Sequence, residues 1–211
     1  MASELLAFVP LRLEQAALGR HRGWKVLHTG MGPERARIAA ARGLAVDAPA
    51  VAVIGVCGAV SPDLRAGDVV CATELRRVDA ASVSTPDSAL LADALSRRGL
   101  RVHVGSILCV DRILPPGELR ALRGEGVLGV DTESAWLAAA ADDRPFAVIR
   151  VVLDTGERGL LDPRTLPAAV RASRGVRLAG DALAEWAGEV AARSGARRAK
   201  SRVHTPPEVP A

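Results

Sequence analysis

Acidic side chains follow several predicted strands of this chain, where α/β proteins commonly bind their ligands. Glu14 follows the first apolar strand, and Asp154 ends the last one. Asp131 and Glu133 follow a short strand between them. The carboxyl ends of strands form the ligand site of an open α/β sheet, and carboxylates grouped there suit acid–base work on a glycosidic or related bond. Each also has a structural interpretation: Glu133 as a helix N-terminal acid, Asp154 as a loop cap and Glu14 as a solvated helix residue.

The stretch Ala50–Val70 combines a buried strand with small residues. Its β-branched run Val51–Val56 predicts a strand that is buried on both faces. The run then breaks into residues with little or no side chain, which lets a ligand approach the backbone: Gly55, Cys57, Gly58 and Ala59. The alternative is a tight turn between two core strands, because glycine-rich turns are common.

A second glycine turn, Thr29-Gly30-Met31-Gly32, joins a predicted strand to a predicted helix. Pro33 stands where the first helical residue would be, a position that proline favours. The free backbone N–H groups of a helix N-terminus suit an anion or a ligand oxygen. The motif is short and is not a complete dinucleotide fingerprint.

Strands and helices alternate along the chain, which predicts an α/β fold: a single three-layer αβα domain over residues 1–192, built on a central mixed sheet. The predicted strands are Leu5–Val9, Trp24–Thr29, Val51–Val56, Asp68–Thr73, Arg101–Val110, Val127–Val130 and Phe146–Leu153. The predicted helices include Glu34–Val46, Ser88–Arg98, Gly117–Arg123, Asp131–Ala141 and the closing helix Ala168–Arg193. The polar segment Arg76–Asp87 is predicted to be a surface excursion.

The composition indicates a globular cytoplasmic protein. Of the 211 residues, 49% are hydrophobic and only 2% are aromatic, so the core must consist of Val, Leu, Ala and Ile. No apolar run reaches the length of about 18 residues that spans a bilayer, and the N-terminus does not resemble a signal peptide. Cys57, Cys71 and Cys109 have no metal-ligand spacing and are expected to be free buried thiols in a reducing compartment.

The positive charge is concentrated near the C-terminus. The segment Arg193–Arg202 carries five basic residues and no acidic one, so the rest of the chain is close to neutral despite the net charge of +4. Residues 193–211 are predicted to be a basic, disordered tail. It is either a solvated tail or a weak contact to an anionic membrane surface. Nucleic-acid binding is not expected, because the chain has few aromatic residues for base stacking.

Four segments together resemble the purine nucleoside phosphorylase and nucleosidase superfamily, in the order of that family: His28–Ala36 (HTGMGPERA), Val53–Val70, Val130–Ser134 (VDTES) and Phe146–Asp154 (FAVIRVVLD). The length and the forms GMGPERA and GVDTESAWLA are most similar to the hopanoid-associated branch, which is thought to remove adenine from adenosylhopane. The methylthioadenosine/S-adenosylhomocysteine nucleosidases are the next most similar branch. The resemblance implies a nucleosidase that cleaves the N-glycosidic bond of an adenine nucleoside with an apolar 5′ substituent.

The resemblance also implies roles for individual residues. Asp154 would share a proton with the purine, Glu133 would bind the ribose hydroxyls, and Glu14 would help to activate water. The remaining substrate-binding positions that it implies, together with the small residues above, are Thr29, Gly30, Gly32, Cys57, Gly58, Ile113, Leu114 and Thr132. No metal and no cofactor are expected, phosphate being the alternative co-substrate. The expected partners are a small-molecule nucleoside and further copies of the chain in a homo-oligomer.

The sequence departs from the family pattern at several of these positions. Thr132 stands where the family commonly has Met, and Leu153 replaces the Ser that commonly precedes the Asp. Phosphorylases hold phosphate with Arg and Ser at positions that correspond to Val53 and Val56, which favours water as the nucleophile. Arg35 is a candidate substitute for that phosphate ligand. A catalytically weak nucleoside-binding protein is the alternative from another functional class.

Overall fold

The computed structural model describes the backbone of residues 4–155 and 166–203 and the side chains of residues 4–155 and 167–193. One mixed sheet contains β1 (Leu5–Val9), β2 (Trp24–His28), β3 (Val51–Ala59), β4 (Val69–Arg77), β5 (Ala80–Ser84), β6 (Val102–Cys109), β7 (Gly129–Asp131) and β8 (Phe146–Asp154). The helices are α1 (Arg12–Leu18), α2 (Pro33–Leu44), α3 (Ala92–Arg97), α4 (Pro116–Ala121), α5 (Ser134–Leu137) and α6 (Leu166–Val203). Short 3₁₀ helices lie at Pro86–Leu91 and Ala138–Ala140.

Strand β3 lies at the centre of the sheet. It pairs in parallel with β1 and β8 and, near its carboxyl end, antiparallel with β7. Strand β8 also pairs with β4, β4 pairs with β6, and β6 pairs with β7. These pairings close a ring of five strands, with β1 and β2 extending the sheet beyond β3. The closed ring brings the ends of non-consecutive strands to one place.

The sheet is covered on both faces, which confirms the predicted three-layer architecture. Residues alternate between the faces along each strand. In β1, Leu5, Ala7 and Val9 pack into the apolar cluster that contains α6, whereas Leu6 and Phe8 pack into the cluster that contains α2 and α5. All five residues of β1 are completely buried, as expected of a strand with helices on both sides. The small residues of α2 and α6 allow the helices to approach the sheet closely.

The segment Arg76–Asp87 lies largely on the surface, as predicted, but it contains a strand that the sequence did not predict. Strand β4 continues through Arg77, and Ala80–Ser84 returns antiparallel to it as β5. Strand β5 has no buried residue and no apolar alternation, so its strand structure rests on backbone hydrogen bonds that a hydrophobic pattern does not reveal. The central strand was also predicted too short, because β3 continues through Cys57 and Gly58 to Ala59.

Helix α6 extends beyond its predicted end at Arg193, and its backbone is helical through Val203. The predicted tail therefore begins as a continuation of this helix, and residues 204–211 lie outside the described residues. The boundary between domain and tail stays a prediction. Among the described residues, no helix is long and apolar enough to cross a membrane. The three cysteines are free and buried.

Candidate active site

A cavity of about 650 Å³, including its open mouth, lies at the carboxyl ends of β1, β3, β6, β7 and β8. This is the edge of the sheet at which the sequence predicts a ligand site. The walls are mostly apolar and include four acidic residues. The lining residues are Pro10, Leu11, Glu14, Met31, Val56, Cys57, Gly58, Val110, Arg112, Ile113, Leu114, Leu119, Val130, Asp131, Thr132, Glu133, Leu153 and Asp154.

Arg150 is the residue around which the acidic side chains are arranged. It lies in the middle of β8 and is 0% exposed. Its Nη2 lies 2.6 Å from Asp131 Oδ2 and 3.4 Å from Glu133 Oε2, and both Nε and Nη2 donate to the hydroxyl of Ser134, at 3.1 and 2.9 Å. Burial alone disfavours its charge, but the carboxylates of Asp131, Glu133 and Glu14 more than offset this, so its pKa is raised.

Sequence reasoning missed Arg150 and Ser134 as members of the site. A signal for Arg150 was present, because an arginine in the otherwise apolar strand FAVIRVVLD must be buried and paired with carboxylates. Asp131 also supports the next element: its carboxylate accepts hydrogen bonds from the backbone and the hydroxyl of Ser134, at the start of α5. The acid that caps this helix is therefore Asp131 rather than Glu133.

Glu133 directs its carboxylate to the site rather than to the helix that follows it. Its side chain makes no cap hydrogen bond, and only 4% of the residue is exposed. Oε1 accepts hydrogen bonds from the backbone N–H of Gly32, at 3.0 Å, and from the hydroxyl of Thr132. Oε2 lies toward Arg150. Both carboxylate oxygens of Glu133 are thus held by donors of the protein.

Glu14 is not a solvated helix residue, because it is 4% exposed and turned inward from α1. Oε2 accepts from the N–H of Leu11 and Oε1 accepts from the N–H of Val56, both at 2.7 Å. Burial raises its pKa to about 7, against the lowering effects of Arg150 and of these two hydrogen bonds. A carboxylate with a pKa near neutrality can both accept and return a proton in water.

Gly55 leaves space beside β3 for the side chains of both Glu14 and Arg150. A Cβ atom at this position would lie 2.6 Å from Arg150 Nη1 and 2.9 Å from Glu14 Oε1. Nη1 is buried and has no hydrogen-bond acceptor among the described residues. The sequence predicted small residues here so that a ligand could approach. At Gly55 the close approach is made by two charged side chains of the protein itself.

Asp154 ends β8 as a half-buried residue on the cavity wall, opposite Gly58 in the strand register. Cys57 and Gly58 also line the cavity. Burial raises the pKa of the Cys57 thiol to about 12, so it remains neutral and contributes packing. Ile113 and Leu114 lie on the apolar part of the wall, and Ile113 is 54% exposed at the mouth.

The predicted glycine turn contributes less to the cavity than its sequence suggested. Thr29, Gly30 and Gly32 are not among the lining residues given above. The hydroxyl of Thr29 donates to the carbonyl of Gly30 at 2.8 Å, and a Cβ on Gly30 would lie 2.7 Å from the side chain of Arg35. Gly32 reaches the site only through its N–H, which binds Glu133. The turn therefore positions an acidic side chain.

The two positions that correspond to the phosphate ligands of phosphorylases carry apolar side chains in this chain, and the candidate substitute lies elsewhere. Val53 is completely buried in the core, and Val56 presents an apolar side chain to the cavity. Arg35 is exposed on α2 and does not line the cavity. The basic residue that does line it, Arg112, is paired with Glu118 at 2.6 Å.

Comparison with known proteins agrees with this architecture. Residues 16–179 match the Phosphorylase superfamily. The Purine nucleoside phosphorylase DeoD-type of Shewanella denitrificans is 28% identical over 130 residues, which cover 53% of this chain and 55% of that protein. This chain thus spans about half the length of that curated relative.

Solved structures show the same fold. A 5′-methylthioadenosine/S-adenosylhomocysteine nucleosidase from Helicobacter pylori is 15% identical, with a TM-score of 0.72 over 90% of this chain and 99% of that one. The futalosine hydrolase of Helicobacter pylori is 15% identical, with a TM-score of 0.70 and the same coverage. The corresponding nucleosidase from Neisseria meningitidis is 20% identical, with a TM-score of 0.66 over 83% of this chain and 97% of that one.

The superfamily match extends over most of the domain, including the segments that carry Glu133, Arg150 and Asp154. It confirms the predicted superfamily. The hopanoid-associated branch, the homo-oligomer, the role of phosphate and the compartment stay predictions. The chain therefore belongs to the phosphorylase superfamily, as its sequence motifs predicted.

Proposed function

We propose that this chain hydrolyses the N-glycosidic bond of an adenine nucleoside and releases adenine. The observation that supports this most strongly is the grouping of Glu14, Glu133 and Asp154 around one largely apolar cavity. Cleavage of such a bond builds positive charge on the sugar and negative charge on the base. A site of this kind needs acceptors near the sugar and a proton donor near the base.

In the proposed mechanism, Asp154 donates or shares a proton with a ring nitrogen of the base, which makes adenine a better leaving group. Glu133 accepts a hydrogen bond from the ribose, and this bond strengthens as the sugar becomes oxocarbenium-like. Its acceptor position is fixed by Gly32 and Arg150, so little reorganisation is required during the reaction. Ile113 and Leu114 would supply apolar contact to the base.

Glu14 is the proposed base that activates water. Each of its oxygens accepts one backbone N–H, and a carboxylate oxygen has a second lone-pair position that can accept from water. The pKa of about 7 leaves roughly half of the molecules ionised at neutral pH. Arg150 Nη1 and Glu14 Oε1 both lie within 3 Å of the position that a Cβ atom on Gly55 would occupy. Because Nη1 has no acceptor among the described residues, it can donate to the oxygen of that water.

The charge of the cavity favours water over phosphate as the nucleophile. Four acidic residues line it: Glu14, Asp131, Glu133 and Asp154. The two cations at the site are already ion-paired, Arg112 with Glu118 and Arg150 with Asp131 and Glu133, so the acids outnumber them. A phosphate dianion entering such a site would be repelled, whereas a neutral water molecule would not. Phosphate-dependent cleavage remains the second candidate, because phosphorylases occur in the same superfamily.

The apolar wall supports an apolar 5′ substituent, as in adenosylhopane. Met31, Val110 and Leu119 are apolar lining residues in addition to the two assigned to the base, and burying apolar substituent surface against them would favour binding by about 25 cal/mol per Å². A methylthio group would use less of this wall, which makes methylthioadenosine or S-adenosylhomocysteine the alternative substrate.

The test is release of free base from adenosine, inosine, methylthioadenosine and an adenosine with a long apolar 5′ group, each with and without phosphate. We expect adenine release without phosphate, fastest from the apolar substrate. Release only with phosphate would identify a phosphorylase. Binding without release from any nucleoside would instead support the nucleoside-binding protein.

Substitution of Asp154 tests its assignment directly. Asp154→Asn should lower kcat by about a hundredfold or more, because proton transfer of this kind contributes 10²–10⁴-fold. Asp79→Asn, at an exposed position in the β4–β5 connection, is the matched control and should retain the rate of the unmodified protein. An unchanged rate in Asp154→Asn would show that the base is not protonated by this residue.

A further inference from the structure

We propose that Thr132 determines how the sugar is recognised, by occupying one oxygen of Glu133 so that only the other oxygen can bind a ribose hydroxyl. This inference rests on the proposed function, in which Glu133 faces the ribose. It predicts an unequal recognition of the two ribose hydroxyls that depends on the hydroxyl of Thr132. Thr132 would act as a positioning residue, through Glu133.

The hydrogen bonds of Glu133 support this inference. Oε1 accepts from the N–H of Gly32 at 3.0 Å and from the hydroxyl of Thr132. A carboxylate oxygen has about two lone-pair positions, so these two donors fill Oε1. Among the described residues, Oε2 has one donor, Arg150 Nη2, at 3.4 Å. One acceptor position therefore remains for the sugar.

The surroundings hold this arrangement in place. Glu133 is 4% exposed, so its side chain has little room to rotate. The N–H of Gly32 is fixed because Gly32 is the N-cap of α2 and its carbonyl accepts from Ala36 at 3.1 Å. Of the two donors on Oε1, only the hydroxyl of Thr132 can be removed by a side-chain substitution.

Thr132→Val removes this hydroxyl and nearly preserves the shape of the side chain. Oε1 then gains a free acceptor position, and a second ribose hydroxyl can bind to it. A hydrogen bond to a carboxylate changes binding by about tenfold or more. Deleting that second hydroxyl from the substrate lowers kcat/KM, and the factor by which it does so should therefore be about tenfold larger in Thr132→Val than in the unmodified protein.

The experiment compares the preferred nucleoside with its 2′-deoxy and 3′-deoxy forms in the unmodified protein, Thr132→Val and Thr132→Ser. The penalty for each deletion is the ratio of kcat/KM values within one protein. Intrinsic reactivity differences between the sugars cancel when penalties are compared between proteins. We expect one penalty to increase at least fivefold in Thr132→Val, and both to stay within fivefold of their original values in Thr132→Ser.

Three results would overturn the inference. Penalties that change less than fivefold in Thr132→Val would mean that Thr132 does not occupy Oε1 in the complex. A penalty that falls at least fivefold would mean that Thr132 binds the sugar directly. An equal increase in Thr132→Ser would assign the effect to the shape of the side chain, since serine retains the hydroxyl.

The same comparison of equilibrium dissociation constants, measured by calorimetry, separates this inference from the proposed function. If no nucleoside is cleaved but the binding penalties respond to Thr132→Val as expected, the hydrolytic function fails and the inference stands. If cleavage occurs but the penalties do not respond, the inference fails and the function stands. Absence of nucleoside binding would overturn both.

Discussion

The pKa of Glu14 should be visible in the pH dependence of the reaction. Burial raises it to about 7, although Arg150 and the N–H groups of Val56 and Leu11 oppose the shift. If ionised Glu14 activates water, kcat/KM should fall in proportion to the ionised fraction below this pKa. The decrease in kcat/KM should approach tenfold per pH unit, so that kcat/KM at pH 5 lies about a hundredfold below its plateau at high pH.

The measurement is the initial rate of base release between pH 5 and pH 9, at substrate concentrations well below KM. Glu14→Gln should be slow and should lose the acid limb near pH 7, whereas Glu189→Gln, an exposed substitution on α6, should retain it. An acid limb that remains near pH 7 in Glu14→Gln would assign it to another group. An unmodified protein with full activity at pH 5 would also refute this role of Glu14.

The same pKa affects folding. Because the folded-state value lies above the usual 4.5, the favourable contribution of protonated Glu14 is complete below pH 4.5 and is lost as the pH rises through about 7. The free energy of unfolding should fall by roughly 3 kcal/mol from this group across that window. Urea unfolding at both ends of the range measures this. In Glu14→Gln this pH dependence of the free energy of unfolding should disappear. One of the two backbone N–H groups that bind the carboxylate would then face the amide nitrogen, which is a donor rather than an acceptor.

Two further substitutions test the packing beneath the cavity. Gly55→Ala should destabilise the fold and abolish activity, because the new Cβ would lie 2.6 Å from Arg150 Nη1 and 2.9 Å from Glu14 Oε1. The control is Gly117→Ala, because a Cβ at that position has nothing within 4 Å. Equal melting temperatures of the two variants would refute the expected clash. Ser134→Ala should lower the free energy of unfolding by about 1–3 kcal/mol, because it removes a buried acceptor for the guanidinium of Arg150, and an unchanged urea midpoint would contradict this.

Much of the fold followed from patterns within short segments of the chain. The apolar runs of β1, β3 and β8 were predicted because strands covered on both faces need side chains that are apolar at every position. Strand β5 was not predicted, because an exposed edge strand carries no such pattern. The length of β3 beyond Val56 was missed for a related reason: its last residues pair with β7, a partner distant in sequence.

The candidate site likewise has some features that the sequence predicted and others that only the structure shows. Residue types and order within the chain were sufficient to select Glu14, Glu133 and Asp154 and to suggest the superfamily. The tertiary structure decided that Arg150 lies between the acids, that Thr29 and Gly30 lie off the cavity wall, and that the pKa of Glu14 is raised. Burial and charge pairing depend on which distant segments meet. Local sequence therefore determines which side chains end the strands, but only the folded sheet determines their protonation and their partners.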